Sequence, residues 1–252
     1  MAVLTCDFFS EALIVGASVT VVLPQETEEQ IGLLDQRLPG PPPVLYLFHG
    51  LSDDHTAWTR FTSIERYAAA RGLCVVMPAA GRSFYADEAH GHPYWTYVSE
   101  ELPRVVGQFF NVSREPVDTF VAGLSMGGYG ALKLALNHPG RFGAAACLSG
   151  AVDVKAFAED PDREEVMDRV FDHTVRPGDD VFALAERARG VPPLYVACGT
   201  EDRWYASCQR FAEVAEAAGI DVTTDFRPGG HEWKLWDAQI QDVIEWLPVR
   251  TA

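Results

Sequence analysis

The pentapeptide Gly123-Leu124-Ser125-Met126-Gly127 follows the apolar run Val117 to Ala122 and opens a stretch of helical period, so one serine sits where strand turns sharply into helix. Few arrangements accommodate such a turn, because strand and helix backbones must pass close together, and the glycines two residues either side of Ser125 supply the clearance. The same turn pushes the serine side chain outward. A serine hydroxyl is a weak nucleophile until it is held exposed, relieved of its proton and given help for the oxyanion it forms, and the turn meets the first of these conditions. A glycine-rich turn that only packs a helix against a sheet would need nothing more, so the base, the acid and the oxyanion donors have to be sought elsewhere in the chain.

Eight strand-like runs set the turn in a larger plan: Val3 to Phe8, Ala17 to Leu23, Val44 to Phe48, Leu73 to Met77, Val117 to Ala122, Gly143 to Leu148, Leu194 to Cys198 and Val222 to Phe226. From the third onward they alternate with stretches of helical period at about Thr62 to Arg71, Tyr94 to Phe110, Met126 to His138, Arg203 to Ala218 and Glu232 to Leu247. That alternation predicts an α/β architecture with a mainly parallel, doubly wound sheet, its first two strands antiparallel at one edge. Within Arg203 to Ala218, Cys208, Phe211, Ala212 and Ala215 share a helix face, and Gly219 stands where a left-handed cap is wanted. Two segments break the pattern. Pro24 to Pro43, ending in three prolines, reads as an exposed connection. Residues 151–190 are too long for a simple crossover and read as a small helical cap over the carboxyl ends of the strands, where ligands bind in such sheets. The 252 residues fit one domain, 1–252, with that cap as an insertion.

Twenty Lys and Arg against 36 Asp and Glu give a formal charge of −16, which sets aside a nucleic-acid partner, since phosphate binding depends on clustered cations. No apolar stretch approaches the length of a membrane-spanning helix, and Met1 to Ser10 lacks the basic, apolar and small-residue pattern of an export signal. Cys6, Cys74, Cys147, Cys198 and Cys208 form no CxxC pair and read as core thiols suited to a reducing compartment. A cytoplasmic location is the expectation. The oligomeric state is left open, a homo-oligomer included.

The base and acid that an activated serine needs should follow Ser125 at strand ends. Asp202 lies in the loop Gly199-Thr200-Glu201-Asp202 after one strand-like run, and His231 lies in Arg227-Pro228-Gly229-Gly230-His231 after the next. Ser125, Asp202 and His231 thus emerge on one rim in the chain order of α/β-hydrolases, which differs from the chymotrypsin and subtilisin orders. In this reading His231 takes the Ser125 proton and returns it to the leaving group, while Asp202 fixes the imidazole tautomer. Glu201 and Asp153 compete for the acid role; Asp202 is preferred for its shorter side chain nearer the helix start. The oxyanion donors are expected to be the backbone N–H of Met126 and that of Leu51, in His49-Gly50-Leu51-Ser52, with His49 bracing the loop. Asp87, Glu88, His90 and His92 are close in sequence, but in a glycine-bearing loop with no i, i+4 histidine pair, so no metal is assigned and no cofactor is expected.

Several longer stretches carry a resemblance: Phe8-Phe9-Ser10-Glu11-Ala12-Leu13, Phe48-His49-Gly50-Leu51-Ser52, Gly81-Arg82-Ser83-Phe84-Tyr85, Tyr94-Trp95-Thr96-Tyr97, Glu100-Glu101-Leu102-Pro103, the elbow, and Gly230-His231-Glu232-Trp233. Together they resemble the bacterial tributyrin esterases, within the esterase D group that also holds S-formylglutathione hydrolases, feruloyl and acetyl-xylan esterases and mycolyltransferases. The resemblance implies an α/β-hydrolase fold and a serine carboxylesterase of short acyl esters, acetylated sugars and hydroxycinnamoyl esters among them, with Ser125, Asp202 and His231 matching the family triad. A thioesterase of the S-formylglutathione type is the alternative, and a non-catalytic binding protein on the same fold is the alternative of another class. Glu11 to Gly16 depart from the family's more polar turn. Trp58, Trp95 and Trp204 are the candidates for contacting a sugar or aryl part of the small-molecule substrate.

Overall fold

The protein is described by a computed structural model at residues 1–25, 27, 31 and 38–250. Half of the Pro24 to Pro43 connection lies outside the described residues. Eight strands form one sheet in the order β1-β2-β4-β3-β5-β6-β7-β8. They are β1 (Ala2–Ser10), β2 (Val15–Leu23), β3 (Val44–Phe48), β4 (Cys74–Pro78), β5 (Thr119–Leu124), β6 (Ala144–Leu148), β7 (Leu194–Gly199) and β8 (Val222–Arg227). β1 pairs antiparallel with β2, and β2 antiparallel with β4; every later pairing is parallel. The central strands read as unbroken apolar runs because both of their faces are covered, and every residue of β3, β4 and β6 is buried.

Helices cover the two faces. On one lie α1 (Ala57–Phe61), α2 (Ile64–Ala69) and, at the far end of the chain, α9 (Trp233–Trp246). The opposite layer holds α3 (Tyr94–Thr96), α4 (Leu102–Phe109), α5 (Met126–Asn137), α6 (Glu164–Phe171), α7 (Val181–Arg187) and α8 (Tyr205–Ala217). α5 is buried from Met126 through Leu136, which makes it the central helix of its layer and fixes the position of whatever sits at its N-terminus.

Some boundaries differ from the sequence reading, each for a local reason. Val117 belongs to a tight turn, Pro116–Asp118, with its side chain 64% exposed, because Pro116 lacks an N–H for a ladder and Asp118 is held by the Ser113 hydroxyl at 2.8 Å. The helix expected over Thr62 to Arg71 is the shorter α2, and it is preceded by α1, which the sequence reading did not place and which ends where Thr62 turns extended and its hydroxyl donates to the Trp58 carbonyl. A π-helical turn, Tyr97–Glu101, joins α3 to α4. It delivers the buried Glu101 carboxylate to the β1–β2 hairpin, where it accepts from the Ser10 hydroxyl at 2.5 Å, the Glu11 N–H at 2.8 Å and the Ala12 N–H at 3.2 Å. The segment where the chain departs from the family's polar turn is therefore fastened by a single carboxylate.

Residues 151–190 are helical, as expected, with short 3-10 turns at Val154–Glu159 and Pro161–Arg163 leading into α6 and then α7. The segment is tied to α5. Lys133 pairs with Asp179 at 2.6 Å, and the Tyr129 hydroxyl donates to the Asp179 carbonyl at 2.7 Å.

Candidate active site

Ser125 holds φ 52° and ψ −117°, between the end of β5 and the start of α5. A non-glycine residue at positive φ is costly, and contacts on both sides hold it there. Its N–H donates to the Leu148 carbonyl at 2.8 Å, and its carbonyl accepts from Tyr129 at 3.1 Å and Ala151 at 3.1 Å. The flanking glycines are a steric requirement: a Cβ on Gly127 would lie 2.5 Å from the Phe48 carbonyl oxygen, and one on Gly123 would lie 2.4 Å from the Gly127 backbone. The elbow thus places Ser125 beside the loop that leaves β3.

That loop is braced by His49. The Ala80 N–H donates to His49 Nε2 at 2.9 Å, so the ring proton sits on Nδ1, which donates to the Gly50 carbonyl at 2.7 Å. Burial pulls the His49 pKa below that of an ordinary histidine, partly offset by the Gly50 contact, and keeps the ring neutral as this arrangement requires. Because a trans peptide points its N–H opposite its C=O, anchoring the Gly50 oxygen turns the Leu51 N–H away from His49. Among the described residues that N–H has no acceptor. The Tyr85 hydroxyl donates to the His49 carbonyl at 3.0 Å, and its ring stacks on Phe48 at 4.4 Å. Met126 is the first residue of α5, so its N–H has no acceptor within the helix.

The acid and the histidine arrive on the loops after β7 and β8, which are locked together. The Thr200 N–H donates to the Arg227 carbonyl at 2.9 Å and the Glu201 N–H to the Gly229 carbonyl at 3.1 Å. A Cβ on Gly199 would lie 2.0 Å from the Gly229 oxygen, so only glycine permits the approach. His231 Nδ1 then donates to Asp202 Oδ2 at 2.8 Å, and the Ser125 hydroxyl donates to His231 Nε2 at 3.1 Å. Glu201 is exposed, and Asp153 is engaged by Arg210 at 2.5 Å, so neither competing acid reaches the ring. Trp236 packs nearly perpendicular to the imidazole, the two ring centroids 4.7 Å apart.

Burial pushes the Asp202 carboxyl upward, but the hydrogen bonds from His231 and the Trp204 N–H, with help from Ser149, outweigh it and hold the group below the usual aspartate value. Ser149 is a residue the sequence reading passed over. It is fully buried at φ 47° and accepts from the Trp236 indole at 3.0 Å. Its signal in the sequence was weak: a serine just after an apolar run, two positions before the cap.

The tryptophans separate. Trp58, expected at the substrate, is fully buried: its indole donates to the Phe48 carbonyl at 3.1 Å and its ring meets Trp233, so it supports the loop from beneath. Trp95 stacks on His138 at 5.5 Å and lies under the Lys133 ammonium at 4.4 Å, near the far end of α5 from Ser125. Of these three, Trp204 is the one that adjoins the Ser125–His231–Asp202 series, its backbone N–H donating to Asp202 at 2.9 Å and its ring 5.7 Å from Phe157 of the 151–190 segment. Of the acidic and histidine residues near position 90, Asp87 accepts from Thr96, Glu88 pairs with Arg169 and His90 meets Asp172 at 3.4 Å.

The sequence model of the Esterase family, described as "Putative esterase", matches residues 18–247. An acetyl esterase of Caldicellulosiruptor saccharolyticus is 26% identical over 265 aligned positions, covering 98% of each chain. Among solved structures, FphF, a fluorophosphonate-binding serine hydrolase of Staphylococcus aureus, superimposes with a TM-score of 0.87 at 31% identity, covering 98% of each chain. The S-formylglutathione hydrolase FrmB of the same organism does so with a TM-score of 0.84 at 30% identity and the same coverage. With the serine, histidine and aspartate hydrogen-bonded in series on an eight-stranded α/β-hydrolase sheet, the chain belongs to the Esterase family and is a serine carboxylesterase.

Proposed function

We propose that Ser125 is the nucleophile, His231 the general base and acid, Asp202 the orienting carboxylate, and the N–H groups of Leu51 and Met126 the oxyanion hole. The observation that carries this reading is the continuous relay from the Ser125 hydroxyl to His231 at 3.1 Å and on to Asp202 at 2.8 Å. Attack on an ester carbonyl transfers the hydroxyl proton to His231 Nε2. The imidazolium is stabilised by Asp202, and the same proton then leaves with the alcohol. Water, deprotonated by His231, hydrolyses the acyl-Ser125. The negative charge that forms on the carbonyl oxygen in each step faces the two backbone donors. Protein groups alone supply this chemistry.

The preferred substrates are small esters with short acyl chains, acetyl to butyryl. Trp204, beside Asp202 with its ring 5.7 Å from the buried Phe157, is the side chain assigned to limit acyl length. Residues 1–252 act as one domain with 151–190 as its cap, working in the cytoplasm, in keeping with the free thiols Cys74, Cys147, Cys198 and Cys208 being buried. A second reading, thioester hydrolysis with a glutathione leaving group, is favoured by the likeness to FrmB.

Initial rates on 4-nitrophenyl esters from acetate to octanoate, beside S-formylglutathione at equal concentration, test both readings. Esterase activity peaking at acetate to butyrate supports the first. A kcat/KM for the thioester far above every ester supports the second, and an optimum at octanoate contradicts the short acyl site.

A further inference from the structure

A cavity of about 460 Å³ lies between α4, the C-terminal part of α5 and the loops that feed β5 and β6. It is remote from the triad: Thr119, in its lining, opens β5, and Ser125 follows the other end of that strand, roughly 20 Å away at strand rise.

Its walls combine hydrocarbon with polar groups, two of which, Tyr46 and Arg141, have no hydrogen-bond partner among the described residues. Val112, Leu134 and Phe142 supply apolar surface. Tyr46 stands in the middle of β3, a strand otherwise made of Val, Leu and Phe, and is 5% exposed. Among the described residues its hydroxyl has no hydrogen-bond partner. Three arginines, Arg104, Arg114 and Arg141, line the cavity against one carboxylate, Glu100, in a chain where acids outnumber bases 36 to 20. Arg104 reaches Glu101 at 3.5 Å, and Arg114 donates to the Gly107 carbonyl. Arg141, half-buried beside Tyr46, has no ion pair within 4 Å and no hydrogen bond among the described residues; burial pulls its guanidinium below the usual arginine value, and the charge of Glu100 opposes that only in part. A partly desolvated cation with no carboxylate in direct contact is unfavourable, and an anion bound against it completes the pair.

We propose that this cavity binds a small amphipathic carboxylate, its head group held by the Tyr46 hydroxyl and the Arg141 guanidinium and its hydrocarbon body lying on Val112, Leu134 and Phe142. The ligand class follows from the lining. A planar guanidinium beside a hydroxyl donor matches the two oxygens of a carboxylate, Arg104 and Arg114 add positive potential at the rim, and the volume falls within the range of small-ligand sites. A phosphate monoester offers similar head-group chemistry, so the test includes one.

Isothermal titration calorimetry of octanoate, octyl phosphate, octanol and acetate into the wild-type protein, Tyr46→Phe and Arg141→Gln decides the matter, with circular dichroism confirming that each variant is folded. Saturable octanoate binding is expected, with octanol and acetate weaker by at least roughly tenfold and each variant weakening octanoate by roughly tenfold, the loss of one charge-assisted or buried hydrogen bond. Octanoate binding no tighter than octanol overturns the proposal. So does octanoate affinity indifferent to both substitutions, which would place the ligand elsewhere, at the triad for instance. Octyl phosphate binding far more tightly than octanoate overturns the carboxylate in favour of a phosphate head group.

Discussion

Asp202 is buried and yet held below the usual aspartate pKa, because the hydrogen bonds that converge on it stabilise the charged form more than burial disfavours it. Two consequences follow at this residue. Asn at 202 can present an N–H to the ring and invert the tautomer, so Asp202→Asn is expected to lower kcat by roughly 10³- to 10⁴-fold in steady-state assays, with KM little changed. The second concerns acid stability. A carboxyl with a depressed folded pKa contributes stability that is fully present above its unfolded value of about 3.9 and is lost as pH falls through the lower folded value. Thermal melts from pH 6 down to about pH 2.5 should therefore fall more steeply in the wild type than in Asp202→Asn; parallel curves would contradict the assignment. The proximity of Ser125, His231 and Asp202 was legible in the sequence because each stands in a loop directly after an apolar run, where chain order carries information. Ser149, which backs Asp202, was not, since a buried serine at positive φ leaves no spacing pattern. The tryptophans show the same limit: Trp58 and Trp204 look alike in sequence, yet one lies beneath the β3 loop and the other beside the triad.

In the proposed mechanism the loop after β3 supplies one oxyanion donor, and His49 holds the loop's geometry through the Ala80 N–H on one nitrogen and the Gly50 carbonyl on the other. Without the imidazole, the Gly50–Leu51 peptide is free to rotate and the Leu51 donor is lost. His49→Ala is therefore expected to reduce kcat by roughly 10²- to 10³-fold, the effect of deleting one oxyanion donor, while sparing KM. A fall in KM-dependent binding with kcat intact would show that the loop positions substrate instead. Acidification costs stability here as it does at Asp202, but from a different cause: His49 is buried neutral, so its contribution is complete above the unfolded pKa of about 6.5 and declines as the unfolded chain takes up a proton below it. The elements themselves were read from periodicity with small errors, and the errors cluster where a side chain competes with the backbone. Thr62 ends α1 through its hydroxyl, and Pro116 delays β5. No propensity scale resolves such local contests, because they depend on which acceptor lies nearby.

At the scale of the molecule, the 151–190 segment, in our reading a cap, is held to the central helix by a buried ion pair, Lys133 with Asp179 at 2.6 Å, reinforced by the Tyr85 carbonyl accepting from the same ammonium at 2.9 Å. Burial pulls Lys133 down to about 8, with Asp179 opposing, so the ammonium depends on its partner. Removing that partner leaves an uncompensated charge; Asp179→Ala is expected to cost about 3–5 kcal/mol in urea unfolding, and Lys133→Met combined with Asp179→Leu to recover most of it. Additive losses in the double variant would mean that the pair is not coupled. The alternation of strands and helices, the antiparallel edge and the helical nature of 151–190 were all legible in the sequence. How the cap docks was not, since the Lys133–Asp179 pairing joins residues 46 positions apart with no local pattern to announce it. All of these features serve one serine at the N-terminus of a buried helix. The most direct measurement is intact-protein and peptide mass spectrometry after reaction with a fluorophosphonate, with residual esterase activity followed in parallel. One adduct per chain, mapped to Ser125 and formed in proportion to activity lost, is the expected result. An adduct on another residue, or full labelling of Ser125 with activity retained, would contradict the account.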